Sequence, residues 1–156
     1  ALTSELLRLG DIPGVRILIT GGGTAFAQLQ EKAAAVNKTL GRACLVLTGP
    51  RTDIRDMMAA CDLFVGVSRA ALEAMAAGLP VIATDVGGLR DIVTDNGILL
   101  PSGDQGGMTN AMKRLYEDPI LRHRMGLTSK NYAVDYDVSA TVDGYCRLYR
   151  RFGGVK

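Results

Sequence analysis

The chain has 156 residues, 47% of them hydrophobic, a formal net charge of +2 at pH 7 and 3 cysteines. That length and apolar content predict a single domain, 1–156, with a sizeable core. The small, dispersed positive charge argues against a nucleic-acid partner or a charged membrane surface, and no apolar stretch is long enough to span a bilayer.

The amino terminus lacks the basic-then-apolar pattern of a secretion signal, and its start at Ala1 in place of methionine predicts an excised piece of a longer protein. Residues 2–9 read as a helix, after which Pro13-Gly14 turns the chain into an apolar strand from Val15 to Thr20. Gly21-Gly22-Gly23-Thr24 follows, then a helix over about 25–40 that ends at Gly41. Ala43 to Thr48 is the next strand, Gly49-Pro50-Arg51-Thr52 a loop, and Asp53 to Ala60 a short helix.

Asp62 to Val67 is an apolar, β-rich segment, Ser68 a helix N-cap, Ala70 to Ala77 strong helix formers, and Gly78 a helix stop. Pro80 opens a strand to Asp85 at a position that needs no ladder donor. A Gly87-Gly88 turn, a short helix through Val93 and a hairpin-like Asp95-Asn96-Gly97 turn lead into the strand Ile98 to Leu100. Each strand is a continuous Val/Ile/Leu run, which predicts a sheet buried on both faces. The alternation of strand and helix predicts an α/β fold, an open, doubly wound parallel sheet with right-handed crossovers.

The last third is helical. Gln105 to Glu117, Asp118 to about Tyr132 and Val138 to Phe152 are three helices, the second opened by an Asp118 N-cap with Pro119 at the first helical position. Tyr145, Leu148, Tyr149 and Phe152 recur at helical spacing and read as a core stripe, with Arg147, Arg150 and Arg151 solvated on the other face. His123, between Arg122 and Arg124, reads as a surface residue. Cys44, Cys61 and Cys146 are odd in number and widely spaced, so they read as reduced thiols of a cytoplasmic protein, with neither metal spacing nor a disulfide framework.

Glu73 is the candidate that carries chemistry. It interrupts an apolar helix held between two buried strands, where an unpartnered carboxylate is costly, so a ligand with hydroxyl groups is its expected partner. A lone glutamate would sooner read as a solvated or capped helix residue; the motif around Glu73 reverses that. In parallel sheets ligands bind beyond the carboxyl ends of the strands, where helix N-termini attract anions, so Ser68, Arg69 and Ala70 form a phosphate seat. At about 1.5 Å per residue Glu73 lies roughly 7 Å farther along, a distance suited to a sugar hydroxyl beside that phosphate. Gly21-x-Gly23 has the look of a dinucleotide turn, but Phe26 replaces the third glycine and the second strand ends at Thr48 in place of a ribose-gripping acid.

From about Val15 to Arg151 the chain resembles the C-terminal, nucleotide-sugar-binding half of a GT-B glycosyltransferase of the large group 1 family, family 4. The resemblance rests on Leu18-Ile19-Thr20-Gly21-Gly22-Gly23, on Asp53 to Val65, on Leu72-Glu73-Ala74-Met75-Ala76-Ala77-Gly78-Leu79-Pro80-Val81 through Gly88, and on Asp91-Ile92-Val93. Asn96 to Asp104 and Asp118 to Gly126 continue it in the same order.

The resemblance implies that Glu73 accepts hydrogen bonds from the donor's ribose hydroxyls and that Ser68, Arg69 and Ala70 hold its diphosphate. It further implies that Gly49, Pro50 and Arg51 line the base pocket, and that Gly21, Gly22, Gly23 and Thr24 border the donor cleft. Gly87-Gly88 falls on the same rim or is a plain turn. The partners implied are a nucleotide-sugar donor, bound as a substrate with no further cofactor and no metal supplied by this half, and a glycan or lipid-linked acceptor held by a separate N-terminal domain. The chemistry implied is transfer of a sugar to an acceptor hydroxyl in cytoplasmic polysaccharide biosynthesis. The resemblance assigns no catalytic residue to this chain, which alone is expected to bind a donor and transfer nothing.

Two departures stand out. Many members carry an E-x7-E pair whose first acid contacts the donor sugar; that position is Val65 here, and the turn at Val67 to Arg69 is short. Retention of configuration is the expectation, yet the shortened turn is also similar to inverting N-acetylglucosaminyl transferases of peptidoglycan precursors. Beside the transferase stand a nucleotide-sugar epimerase of the same fold, for which no acid/base pair stands out, and a non-catalytic module with an eroded pocket, to which Val65 lends weight.

Overall fold

A computed structural model describes residues 12–66 and 70–152. It belongs to the α/β class, and its contacts divide it into two compact units, Ala1–Ile54 with Asp104–Arg114, and Arg55–Gly103 with Leu115–Lys156. The helix predicted at 2–9 lies outside the described residues.

In the first unit β1 (Ile17–Thr20), α1 (Phe26–Leu40) and β2 (Leu45–Gly49) form a parallel β-α-β turn, with Ile17 opposite Leu45 and Ile19 opposite Leu47. Ala33 and Val36 of α1 are buried against Leu45, with Ile17, Leu40 and Leu47 packed around them. Gly41, at φ 64°, ends α1 in the left-handed conformation that glycine adopts without strain. Asn37 then fixes the start of β2: its Oδ1 accepts from the amides of Cys44 at 2.9 Å and Leu45 at 2.8 Å, and its Nδ2 donates to the Leu45 carbonyl at 2.8 Å. Arg42 straps the entry to β1 by donating to the carbonyls of Val15 at 2.7 Å and Ile12 at 2.9 Å. β1 is not buried on both faces as its apolar run predicts. Ile17 and Ile19 are half-buried while Leu18 is 42% exposed, because α1 covers one face only.

In the second unit β3 (Phe64–Gly66), β4 (Val81–Thr84) and β5 (Gly97–Leu100) form a parallel sheet in that order. The helices here are α2 (Ile54–Ala59), which begins at the unit boundary, α3 (Ala70–Ala76) and α4 (Leu89–Ile92). Its core is Ala71, Ala74, Met75, Leu79, Val81, Ala83, Leu89 and Val93. Because β5 runs parallel to β4, Asp95-Asn96-Gly97 is not a hairpin turn but the connection from α4 to β5. The fully buried Asn96 stiffens it, accepting from the Thr94 amide at 2.8 Å and donating to the Ile92 carbonyl at 3.1 Å.

Helix α5 (Gln105–Glu117) is followed by α6 (Pro119–Ala133). Asp118 caps α6, its carboxylate accepting from the Leu121 amide at 2.8 Å, with Pro119 in the first turn, where its missing donor costs nothing. α6 packs on α3. A short 3-10 turn (Val134–Tyr136) leads into α7 (Val138–Phe152), which buries none of its residues. The core stripe expected there is absent: Tyr145 is 58% exposed, Leu148 51%, Tyr149 70% and Phe152 73%. Helical spacing creates an apolar face but does not supply the surface that covers it.

Candidate functional site

Parallel pairing places the loops that follow neighbouring strands on one edge of their sheet. In the first unit this gathers two of the predicted segments. Gly21–Thr24 follows β1, Gly49–Arg51 follows β2, and the Gly21 amide donates to the Gly49 carbonyl at 3.1 Å. A Cβ on Gly22 would stand 3.3 Å from Cγ of Pro50, a tight contact that shows how closely the two loops approach. Gly49, at φ 69°, turns the backbone out of β2, and the Phe26 amide donates to the Gly23 carbonyl at 3.1 Å as α1 begins.

Arg51, the expected base contact, is held by Asp53. Its Nε donates to Asp53 Oδ1 at 2.7 Å and its Nη2 pairs with Oδ2. The Arg51 hydrogen bond holds the Asp53 carboxyl below the usual carboxylate range. Both groups stand at the surface, so the pair fixes the guanidinium plane without burying charge.

In the second unit the predicted phosphate seat is described only at Ala70, the first residue of α3; Ser68 and Arg69 lie outside the described residues. Glu73 stands in the first turn of α3, at the end that faces the carboxyl edge of β3 to β5. Its expected burial is not found, because Glu73 is exposed. Ala71, Ala74 and Met75 take the inward stripe at i, i+3 and i+4, which turns Glu73 to the opposite side with Ala76 and Ala77. Among the described residues the Glu73 carboxylate has no hydrogen-bond or ion-pair partner. Its cost is therefore not desolvation. Val65, at the position of the family's other acid, is 39% exposed on β3.

The loop after β4 opens on the same edge. It turns through Gly87 and Gly88, at φ 51° and 85°, and the Asp85 amide donates to the Leu100 carbonyl at 2.7 Å. Asp85 and Arg90 form an ion pair across this turn, which sequence reading missed; the only signal was an acid and a base five positions apart astride two glycines. The hydrogen bond from Arg90 holds the Asp85 carboxyl below its ordinary range.

At the opposite end of α3 lies an open groove of about 520 Å³, whose lining includes Asp62, Pro80, Arg122, His123 and Lys130. His123 is exposed there, as expected of a surface residue. Arg122 is occupied in donating to the Leu115 carbonyl at 2.6 Å. Cys44 is buried, Cys61 half-buried and Cys146 exposed, all as free thiols, and burial pushes the Cys61 thiol up. Among the described residues no cluster of His, Cys, Asp and Glu is arranged to hold a metal, and no helix is long and apolar enough to cross a membrane.

Residues 1–118 match the family described as glycosyl transferases group 1. The chain is similar to the lipopolysaccharide core biosynthesis mannosyltransferase LpsB of Rhizobium meliloti, with 34% identity over 84% of this chain and 41% of that protein. It is also similar to a D-inositol 3-phosphate glycosyltransferase of Kineococcus radiotolerans, with 30% identity over 96% of this chain and 39% of the relative. The chain thus spans less than half the length of these curated relatives. Anabaena Alr3699/HepE, solved in complex with UDP, shares the fold at a TM-score of 0.81 and 23% identity, covering 96% of this chain and 44% of that one. The pneumococcal O-GlcNAc transferase GtfA, solved with UDP and GlcNAc, does so at 0.81 and 18%, covering 99% and 33%. By sequence, the chain belongs to the group 1 glycosyltransferase family.

Proposed function

We propose that the chain is the donor-binding half of a glycosyltransferase that moves a sugar from a nucleoside-diphosphate sugar to an acceptor hydroxyl with retention of configuration. The observation that carries the reading is the Glu73 carboxylate, exposed and unpartnered among the described residues, in the first turn of a helix at the carboxyl edge of a parallel sheet. A ribose offers two adjacent hydroxyl donors to such a group, and a hydrogen bond to a charged acceptor is stronger than one between neutral groups.

In this reading Ser68, Arg69 and Ala70 receive the diphosphate. Gly49, Pro50 and Arg51 line the base, and Gly21 to Thr24 border the sugar or phosphates. The half contributes binding and orientation. Cleavage of the bond between the anomeric carbon and the diphosphate leaves negative charge on the leaving group, which helix N–H groups and basic side chains stabilise, and no metal or further cofactor enters this half. The glycan or lipid-linked acceptor is held by an amino-terminal domain, in a cytoplasmic enzyme of glycan assembly. The family membership and the UDP present in the two similar structures support this reading.

A second reading, a module that retains the fold without transfer, is favoured by one observation, Val65 in place of an acid. A thermal-shift panel of UDP, GDP, ADP and their sugars against the protein and its Glu73→Gln variant separates the two. A ligand at a hundred times its dissociation constant stabilises by about 2.7 kcal/mol. Selective stabilisation by one nucleotide, lost in the variant, is expected of the donor-binding half. An equal response of both proteins to every nucleotide is expected of the inert module.

A further inference from the structure

β4 delivers an acid to the sheet edge on the face that α3 and α4 cover. Val81 and Ala83 lie in the core cluster with Ala71, Ala74 and Leu89, and alternation along the strand brings Asp85 next on that face. The Asp85 amide donates to the Leu100 carbonyl at 2.7 Å, which carries the pairing with β5 one residue past Thr84. Asp85 is therefore the first β4 side chain to leave the core on that side, and 29% of it is exposed. β3 offers no acid there: Phe64 packs on the same cluster, so Val65 beside it points to the other face.

Arg90, the second residue of α4, closes on this carboxylate as a fork. Its Nε donates to Oδ1 at 3.3 Å and its Nη2 pairs with Oδ2, while 76% of the Arg90 side chain stays exposed. The pair has no net charge, so it is not arranged to draw a phosphate. Each carboxylate oxygen accepts more than one hydrogen bond and the guanidinium keeps further N–H groups, which leaves acceptors and donors side by side. A ring of hydroxyl groups, each both donor and acceptor, matches that arrangement.

We propose that Asp85 accepts hydrogen bonds from hydroxyl groups of the sugar that the donor carries, with Arg90 as the positioning residue that fixes its carboxylate. The inference rests on reading the chain as a donor-binding half. Spacing supports it. α3 and α4 cover one cluster, and neighbouring packed helices lie about 8–10 Å apart. Glu73 stands in the first turn of α3 and Arg90 near the start of α4, so the ribose contact and the sugar contact fall an interval apart that a diphosphate bridges.

Calorimetric titration of UDP-glucose, UDP-N-acetylglucosamine and GDP-mannose, each beside its nucleoside diphosphate, reads the sugar contact apart from the nucleotide. For the pair that binds, Asp85→Ala is expected to raise the Kd of the nucleotide sugar at least about tenfold. The Kd of the diphosphate stays unchanged or falls, because a negative charge has been removed near the phosphates. Asp85→Asn is expected to show the same split, and it carries the test if the alanine variant fails to fold. Arg90→Ala is expected to raise the ratio of the two Kd values about threefold; loss of its charge alone weighs more on the diphosphate, which is the more negative ligand, and moves the ratio the other way. Equal weakening of both ligands by the Asp85 variants, no change in either, or a native protein that takes a diphosphate but none of these nucleotide sugars overturns the inference and leaves the nucleotide site standing. A native protein that binds neither kind of ligand overturns the donor reading and this inference together.

Discussion

The amide of Gly21 donates to the carbonyl of Gly49 at 3.1 Å, which ties the loop after β1 to the loop after β2. Gly49 holds φ 69°, and a Cβ there would meet only the Phe26 ring, at 3.9 Å. The cost of Gly49→Ala is therefore backbone strain, about 1–2 kcal/mol for a side chain in the left-handed region. Urea unfolding is expected to show that loss, and nucleotide affinity to fall with it because both loops move.

Where α3 ends, α6 crosses so closely that a Cβ on Gly126 would run into the carbonyl oxygen of Gly78. Gly126→Ala forces the helices apart and is expected to cost about 1–3 kcal/mol, the range for overpacking. Gly144 in α7 has nothing within 4 Å of a built Cβ. Gly144→Ala is expected to stabilise instead, by about 0.5–1 kcal/mol, through helix propensity. Paired denaturation curves check both signs.

Asn96→Leu keeps approximate volume but strips the Thr94 amide and the Ile92 carbonyl of their side-chain partner. Ile92 is half-buried and Thr94 exposed, so the loss is expected at the low end of the range of about 1–3 kcal/mol for unpaired polar groups. A lower denaturation midpoint with an unchanged slope is the expected result.

Asp85 supplies a pH prediction. Its carboxyl is lowered first by the hydrogen bond from Arg90, and a lowered carboxyl contributes stability at pH values above its unfolded pKa that is lost as pH falls through the folded value. With an ordinary aspartate near about 3.9, the contribution is present at neutral pH and its loss falls in acid below that value. The Arg90 side chain is largely solvent-exposed, so screening keeps the pair weak and Arg90→Ala is expected to lower the melting temperature at neutral pH only slightly. A carboxyl NMR titration should show Asp85 returning to the ordinary range in that variant.

Local signals were legible in the sequence wherever one residue dictates the backbone. Gly41 ends α1 as read, Asp118-Pro119 opens α6, and the bounds expected for α5 and α7 are those observed. Environment was less legible. Tyr145, Leu148, Tyr149 and Phe152 have the periodicity of a core stripe but are exposed, because periodicity says which residues share a face and not what lies against it. Glu73 was expected to be buried because its neighbours are apolar, yet Ala71, Ala74 and Met75 alone satisfy the inward stripe. The touching of the Gly21 and Gly49 loops follows from β1 and β2 being parallel neighbours, which the β-α-β order implied; the Asp85–Arg90 pair depends on a turn conformation that composition does not encode.

The central claim is that Glu73 accepts hydrogen bonds from the ribose of a bound nucleotide. Calorimetric titration of UDP and of 2′,3′-dideoxy-UDP into the protein and into Glu73→Ala tests it most directly. The account predicts that the native protein prefers the ribose form by about tenfold to a hundredfold, the equivalent of a charge-assisted hydrogen bond of about 1.5–3 kcal/mol, and that the variant loses this preference. The same ribose preference in both proteins would contradict it.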